Sequence, residues 1–549
     1  MGLVSISRLA ATAWVAAAGI AATTATAQPP ITPGAVQDTL KRTPELKPPQ
    51  PLLAPSGDPA SHSNIAPATV AKTITVEQFE FAGNTLYGSD ELNNVISRYT
   101  GKPITLIDLY EAADKITEFY VRQGYTLASA VVPAQKVTEG TVRLEVIEGR
   151  IGKVKYEGIK SYSKNELGFF LDTDEGRVYK ASDFETKLRL LDDLPGLDVR
   201  ARLQPGEEYG SSDIVVLAKE TPFEGSLFVD NAGTENIGVI RTGGQLTLNN
   251  PLGAADQLSL TGLRSREGLL KYGAAAYSLP TGIGASRVNV SYGYAEFKVA
   301  GAFQGVTGSN STARGELYVP VLDNGHDQFN IVAAINDTRA DTDFSGITFA
   351  ETAVTVMEVG GNFARTYANR SVTQLALLLS SNFTGYNAAT DTASVPLKVD
   401  VDLQQLTPLP YDLQLLTRTQ FVYGVDPLPD TQKFSIGGPS TVRGYAPSEA
   451  RGDWGYLAQL TLRRNYALGK AVLTPRLFYD AGAVRQHKAD RFPLGSQPQD
   501  VSLASYGFGF DVGYHNLSLK MDYAIPGSNT PVSDGKEDGR FYGAFSLAF

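Results

Sequence analysis

The residue types that most often perform chemistry in proteins are scarce in this sequence. Its 549 residues include no cysteine and only four histidines, His62, His326, His487 and His515, which lie far apart with no ligand-like spacing. Disulfides, thiolate metal sites and cysteine nucleophiles are therefore excluded. No G-x-S-x-G elbow with a placed histidine indicates a lipase-type enzyme. The sequence predicts no enzyme activity, no cofactor and no metal.

One arginine and one aspartate could form a specific ion pair. Residues 434–445 read FSIGGPSTVRGY, and the glycines and proline at 437–439 are incompatible with an ordinary strand, so Arg443 lies in a loop. In the strand-like segment LFYDAG, alternation places Asp480 on the same face as Arg476 and Phe478. A carboxylate there could bind the guanidinium of a loop folded inward, because such bonds are charge-assisted and bidentate. An exposed Arg443, an Asp480–Arg476 pair and a solvated Asp480 are alternatives at this point.

The region that contains both residues has the pattern of a β-barrel. From residue 222 to 549 helical spacing disappears, and short stretches alternate with a period of two, most clearly in residues 506–514. At the C-terminus, Phe541, Phe545, Leu547 and Phe549 share one face. A soluble β-sandwich of this length would be very large, so the pattern favours a transmembrane barrel with apolar residues facing lipid and polar ones facing a wet lumen. At about 20 residues per strand and connection, about 16 strands are expected, with fourteen or eighteen also possible.

The N-terminus predicts export from the cytoplasm. Residues 1–27 combine Arg8, an alanine-rich apolar stretch and an Ala-Thr-Ala cleavage site, as in a secretory signal peptide. The apolar stretch is shorter than the roughly 20 residues that a membrane anchor needs. Residues 28–72 are a proline-rich linker with a possible short helix at 35–42 that Pro44 would end.

Two α+β units precede the barrel. Residues 73–148 are predicted in the order β-α-α-β-β, with strands at 73–81, 127–132 and 141–147 and helices at 89–97 and 108–122. Residues 149–220 repeat that order, with strands at 151–156, 199–203 and 213–218 and helices at 164–171 and 181–191. Two consecutive units of about 70–75 residues with the same element order indicate an internal repeat. The net charge of −10 argues against binding to nucleic acid.

Three features together resemble one family. The motif VRGY at 442–445, the F-x-D-x-G pattern at 478–482 and the terminal Phe549 resemble the TpsB transporters of two-partner secretion. These are hemolysin secretion/activation proteins of the ShlB/FhaC/HecB type, a branch of the outer-membrane assembly superfamily. Residues 132–151, 229–231 and 250–253 are similar to further parts of that family, so the resemblance covers most of the mature chain.

The resemblance implies a fold and a set of site residues. It implies a 16-stranded barrel in the outer membrane, with two periplasmic POTRA modules at 73–148 and 149–220. The loop with Val442, Arg443, Gly444 and Tyr445 would be the sixth outer loop, after the eleventh strand, folded into the lumen. Phe478, Asp480 and Gly482 would form the barrel-wall motif, with Asp480 paired to Arg443, and Phe549 would be read by the outer-membrane assembly machinery. Family members often begin with a plug helix, which the prolines at 44, 48, 49 and 51 limit here to about ten residues.

The resemblance also implies a function. The chain would export a large TpsA-type partner protein, a hemolysin or adhesin, from the periplasm to the cell surface without ATP. In the first POTRA module, Val142, Leu144 and Val146 alternate in a strand that could border a groove and bind the client by β-augmentation. Alternatives are an insertase of the same superfamily, for which more POTRA modules would be expected, and a diffusion porin, which needs none. The lipid bilayer is a further partner, and nucleic acid is not.

Overall fold

A computed structural model describes residues 32–40, 46, 73–163, 174–301, 304–384, 397–486, 500–528 and 532–549. The chain forms two compact units, Gln50–Pro222 and a second that joins Met1–Pro49 to Phe223–Phe549. Helix α1 (Pro33–Leu40) belongs to the second unit. The predicted signal peptide, most of the predicted linker and the predicted helix at 164–171 lie outside the described residues. Within those residues, no helix has the length and apolar character needed to cross a membrane.

The first module is a small α+β structure. Its strands are β1 (Ile74–Val76), β2 (Gln78–Ala82), β3 (Lys102–Ile104), β4 (Ser129–Val131) and β5 (Thr141–Ile147), and its helices are α2 (Ser89–Val95), followed by a 3-10 turn (Ser97–Tyr99), and α3 (Leu106–Arg122). The strand predicted at 73–81 divides at Glu77, because β1 pairs with β3 whereas β2 pairs with β5. Strand β3 was not predicted.

Helix α3 supplies most of the helical side of this module's core. It begins at a capping box in which Thr105 and Asp108 each accept a hydrogen bond from the other's backbone N–H. Its buried residues recur with helical spacing, namely Leu109, Ala112, Ala113, Ile116 and Tyr120, and they pack against the apolar face of β5.

The structure corrects the prediction that Val142, Leu144 and Val146 border a groove. Strand β5 is the central strand of the sheet β2-β5-β4, parallel to β2 and antiparallel to β4. The three side chains are at most 3 % exposed because they point into the helical core. Alternation alone predicts a strand with one accessible face, but the pairing with β2 joins residues about 60 positions apart and leaves no local signal in the sequence.

The second module has the same sheet topology. Its elements are β6 (Arg150–Glu157), α4 (Ala181–Asp192), β7 (Leu197–Pro205) and β8 (Ser211–Glu220). Strand β8 lies at the centre, parallel to β6 and antiparallel to β7. In both modules the last strand therefore lies between the other two.

The remainder of the chain closes into an antiparallel barrel of 16 strands. They are β9 (Phe223–Asp230), β10 (Arg241–Asn249), β11 (Gln257–Ser265), β12 (Leu270–Pro280), β13 (Arg287–Lys298), β14 (Val306–Asp323), β15 (Asp327–Phe344), β16 (Ile347–Thr366), β17 (Val372–Thr384), β18 (Leu397–Pro408), β19 (Leu413–Gly424), β22 (Trp454–Arg464) with its continuation β23 (Tyr466–Leu468), β24 (Ala471–Arg485), β25 (Asp500–Tyr514), β26 (Leu517–Pro526) and β27 (Arg540–Ala548). Strands β20 (Phe434–Ile436) and β21 (Ala450–Gly452) pair with each other inside the long connection from β19 to β22. Single 3-10 turns lie at Pro410–Asp412 and Asp430–Gln432.

Alternation along each strand separates an apolar outside from a polar inside. On β13 the outward residues Val288, Val290, Tyr292 and Tyr294 are exposed, as a lipid-facing surface requires. The barrel closes where β27 pairs with β9, and Phe549 extends this pairing by exchanging two backbone hydrogen bonds of 2.9 Å with Gly225. The side chain of Phe549 is exposed on the outer surface, like those of Phe541, Phe545 and Leu547.

Candidate functional site inside the barrel

The loop between β19 and β22 follows the eleventh strand and folds into the barrel. Its path depends on two left-handed glycines, Gly437 (φ +104°) and Gly438 (φ +101°), a conformation that other residues rarely adopt. A Cβ atom on Gly437 would lie 2.5 Å from the carbonyl oxygen of Ala446. The two sides of the loop can therefore approach each other only because residue 437 has no side chain. The apolar loop residues Ile436, Val442 and Tyr445 are fully buried against the wall.

Arg443 and Asp480 form the bidentate pair that the resemblance implied. The carboxylate accepts hydrogen bonds from Arg443 Nε at 2.7 Å and Nη2 at 2.8 Å, and a third at 3.2 Å from the backbone N–H of Arg443. Asp480 is completely buried and Arg443 is 6 % exposed. The guanidinium also lies over the ring of Phe478, 3.4 Å from its centroid, which adds a cation–π contact.

The alternative pairing of Asp480 with Arg476 is absent. Arg476 donates instead to Asp522, with Nε 2.7 Å from Oδ1, and to Asp511. Asp522 Oδ2 lies 3.9 Å from Arg443 Nη1, so it joins the two arginines into one buried network. Each cation of the network thus faces at least one carboxylate, as buried charges require.

The wall motif makes room for the loop. A Cβ atom on Gly482 would lie 2.9 Å from the Tyr456 carbonyl oxygen, 3.1 Å from Ile436 Cγ2 and 3.4 Å from Val442 Cγ2. Phe478 in turn packs over Gly507 of the next strand, where a Cβ atom would lie 2.5 Å from its ring. On one face of β24, Phe478 therefore supplies a ring that packs against the guanidinium, Asp480 supplies its counter-ion, and Gly482 leaves space for the apolar loop residues.

The rest of the loop motif is anchored on the last two strands. Gly444 (φ +94°) brings the chain against the backbone of residues 524–526. The Tyr445 hydroxyl lies 2.6 Å from Ser528 Oγ, and the Tyr542 hydroxyl donates a 2.8 Å hydrogen bond to the carbonyl oxygen of Tyr445. Val442, Arg443, Gly444 and Tyr445 each contact the wall or its connections.

Helix α1 lies in the lumen beside this loop. Val36 is buried against the inward residues Leu270, Phe297 and Val306 and against Ile237. Arg241 Nη1 donates a 2.7 Å hydrogen bond to the Thr39 carbonyl oxygen at the C-terminal end of the helix, where a cation is favoured. The helix has eight residues, within the limit of about ten that the prolines set.

Arg451, on the far side of the loop, is the main polar partner of α1. Its Nε lies 3.3 Å from Asp38 Oδ2, and its Nη1 donates a 2.9 Å hydrogen bond to Thr32 Oγ1 and a second bond to Asp430. Asp430 also accepts a 2.9 Å hydrogen bond from the backbone N–H of Gly34. Sequence reasoning missed Arg451, Asp430 and Arg241, because the N-terminal residues that they contact, at 32–39, are 202 or more positions away and no motif marks them.

Polar cavities remain inside the barrel. One of about 750 Å³ is lined by Asp38 of α1 and by wall residues that include Glu358, Arg418 and Lys520. A second, of about 610 Å³, lies beside Leu46, which packs against Val372, Leu406 and Leu416. The described N-terminal residues thus follow the inner wall from the Arg443 loop toward the opposite end of the strands.

This architecture matches proteins of known families. The sequence pattern of the family "haemolysin secretion/activation protein ShlB/FhaC/HecB" matches residues 210–512, and that of the ShlB-type POTRA domain matches residues 74–149. The heme/hemopexin transporter protein HuxB of Haemophilus influenzae (strain 86-028NP) is 24 % identical over 503 residues, covering 86 % of this chain and 88 % of HuxB. The hemolysin transporter protein ShlB of Serratia marcescens is 27 % identical over 454 residues, covering 76 % and 78 %.

A solved structure has the same fold. CdiB from Escherichia coli superposes with a TM-score of 0.69 at 22 % identity, covering 89 % of this chain and 92 % of CdiB. The matched family region contains the loop motif, the wall motif and most of the barrel. The chain belongs to the haemolysin secretion/activation protein family ShlB/FhaC/HecB.

Proposed function

We propose that this chain exports a large TpsA-type partner protein, a hemolysin or adhesin, across the outer membrane without ATP. The partner would enter unfolded from the periplasm, where the two modules lie, and leave at the end of the barrel that holds the Arg443 loop. The names of the relatives support this class of activity. The predicted signal peptide and the terminal Phe549, read by the outer-membrane assembly machinery, would bring the barrel to that membrane.

The observation that carries the proposal is the helix in the lumen. Eight residues of α-helix are about 12 Å long, and α1 lies in the lumen next to a cavity of about 750 Å³. No strand of the wall includes α1, so its departure opens the lumen while the wall keeps all the hydrogen bonds between its strands. A diffusion porin needs neither a removable helix nor the two modules. We infer that α1 blocks the resting pore and leaves before the partner passes.

Strand β7 is the best edge for holding an extended client. It has nine residues and is the longest outer strand of the two modules. Val199 donates its N–H to Asp192 at 2.7 Å, away from β8, so by alternation the N–H groups of Ala201 and Leu203 also face away from β8. Among the described residues, no strand pairs with this edge. A client strand added there would gain backbone hydrogen bonds, and Arg200 and Arg202 beside it would help to select its sequence.

Export can be tested in vesicles that contain only the purified full-length chain. An unfolded partner, taken from the neighbouring gene, is added on the side of the modules with no nucleotide present. Arrival of the partner inside the vesicles, where added protease cannot reach it, is the expected result. Transport that requires ATP, or equal passage of an unrelated unfolded protein, would contradict the proposal.

The client edge can be tested in the same preparation. Ala201→Pro removes an outward N–H and leaves the ladder to β8 intact, whereas Arg200→Pro removes an N–H that faces β8. We expect Ala201→Pro to weaken partner binding by up to about tenfold with an unchanged circular dichroism spectrum, because one backbone hydrogen bond to the client is lost. Arg200→Pro should unfold the second module and serves as the control for a structural effect. Unchanged binding by Ala201→Pro would move client recognition to another edge.

A further inference from the structure

Four cations cluster on the outside of the barrel, on strands β11–β13. Arg264, Lys271 and Lys298 are exposed, and Arg266 follows in the turn between β11 and β12. Their inward neighbours Leu263, Leu270 and Phe297 pack in the cluster around Val36, so by alternation the cations face outward.

The arrangement of these charges is unfavourable without an added anion. Arg264 is directly opposite Lys271 across the antiparallel pair, and Lys271 is directly opposite Glu296. Like charges in opposed positions destabilise a sheet. Lys271 forms an ion pair with Glu296, but within the described part of the chain Arg264, Arg266 and Lys298 make none. Among the described residues of β11–β13 and their connections, Glu267 and Glu296 are the two outward carboxylates, which leaves an excess of two positive charges on these three strands.

An apolar surface lies directly below the cations. On β13, Tyr294 lies two residues from Glu296 on the same outward face and is exposed. Tyr292 and Val290 of the same strand and Leu260 of β11 are also exposed. Aromatic residues at the border between apolar and charged surface mark the membrane interface of outer-membrane barrels. The cations therefore lie at the level of lipid headgroups, with acyl-chain contacts below them.

The position in the barrel identifies the leaflet. The turn between β11 and β12 is at the same end of the strands as the connection that carries Arg443, and opposite to the chain's entry into β9. In the orientation of the proposed function, on which this inference rests, that end faces the cell surface.

We propose that Arg264, Lys271 and Lys298 form a binding site for a phosphorylated lipid of the outer leaflet. Phosphate groups bridge the opposed Arg264 and Lys271 and reach Lys298, while the acyl chains lie along Leu260, Val290 and Tyr292. The site holds an amphiphile because the cationic and apolar parts are adjacent on one lipid-facing surface. A soluble protein partner cannot reach the apolar part in the membrane.

The test measures binding of diphosphoryl lipid A to the purified full-length chain in detergent. Each cation near an anionic headgroup contributes about fivefold in affinity, so R264Q/K271Q/K298Q should weaken binding by up to about a hundredfold. The matched control R339Q/R365Q/R485Q removes three outward cations that are paired with Asp337, Asp327 and Asp500, and it should bind like the wild type. The conservative variant R264K/K298R should retain binding, which separates lost charge from lost folding.

Three results would overturn the proposal. Equal losses in the two triple variants would mean a non-specific response to net charge. Equal affinity for lipid A without phosphates would remove the role of the cations, and full competition by inorganic phosphate at the lipid's own concentration would indicate a site for the free ion. Because no partner protein is used, failure of export would leave this result unaffected. Arg266→Cys, in a chain with no other cysteine, should react with an impermeant maleimide on whole cells, and absence of labelling would overturn the outer-leaflet assignment.

Discussion

Two segments occupy the same lumen and are held there in different ways. The Arg443 loop is continuous with the wall at both ends, and its guanidinium is enclosed by Asp480, Asp522 and the ring of Phe478. Helix α1 is attached to the wall by no strand, and its main contacts are Arg451, Arg241 and the apolar cluster around Val36. Removing α1 costs a few contacts, whereas removing the loop exposes a buried charge network.

This difference in contacts indicates that the Arg443 loop stays in the lumen and that α1 can leave it. Breaking a buried ion pair on one side leaves an unpaired charge and costs roughly 3–5 kcal/mol. The two arginines that contact α1 each keep a carboxylate partner when the helix departs, because Arg451 still binds Asp430 and Arg241 still binds Asp230. The loop is therefore a fixed part of the pore, and α1 is its removable part.

The largest effect is expected from breaking the loop pair. Arg443→Ala leaves the buried Asp480 without its cation and should reduce export at least about tenfold while the barrel still assembles. Asp480→Ala should give the same defect, and the double variant should be little worse than either, because both remove one interaction. Secretion is measured against the amount of folded barrel in the membrane. Normal secretion by Arg443→Ala would mean that the loop needs no anchor, and additive defects would break the functional pairing.

The next effect concerns the helix. Arg451→Ala removes the contacts to Asp38 and Thr32 together, and charge-assisted bonds of this kind are worth about 1.5–3 kcal/mol. We expect the open fraction of pores, measured as conductance in planar bilayers, to rise about tenfold. Arg463→Ala is the control, since it removes a luminal cation that bonds to Gln414 rather than to α1. Unchanged conductance would place α1 among the fixed parts of the pore.

A pair of glycine substitutions should sharpen the contrast. An alanine at Gly482 must displace the Tyr456 carbonyl or Ile436, and overpacking of this kind costs about 1–3 kcal/mol. An alanine at Gly34 would collide with Asp430 and Arg451. We expect Gly482→Ala to lower export with unchanged conductance, and Gly34→Ala to raise conductance with export retained. Gly513→Ala, where a Cβ atom meets nothing within 4 Å, should change neither. The same response to both substitutions would remove the distinction between loop and helix.

The smallest effect is expected from a substitution at the seam of the barrel wall, which encloses both the loop and the helix. Phe549 packs over Gly225 at the seam between β27 and β9, and its exposed ring is the predicted assembly signal. Phe549→Ala should lower the amount of folded barrel, seen as the heat-resistant band in gel electrophoresis. Phe541→Ala removes another outward ring of the same strand and should have less effect. Equal band intensities would leave Phe549 as one lipid-facing residue among several.

The sequence allowed the barrel and its loop motif to be predicted because their signals are local. Alternation over nine residues is visible in 506–514, and the strand count follows from length. The inward face of Asp480 also follows from alternation. The central place of β5 could not be predicted, since alternation shows two faces and says nothing about which edges are paired. The contacts of α1 with Arg451 and Asp430 were equally hidden, because they join residues about 400 positions apart.

The seat of the Arg443 loop also has a consequence for the order of assembly. Its anchors Asp480, Ser528 and Tyr542 follow the loop by 37, 83 and 97 positions, so the loop finds its partners among the last strands to be made. Contacts of such separation form late, because the intervening chain must be ordered first. The loop can therefore bind in its final position only after the C-terminal strands have paired in register. Helix α1 can be enclosed last, since Arg451 and Asp430 reach it from the completed loop.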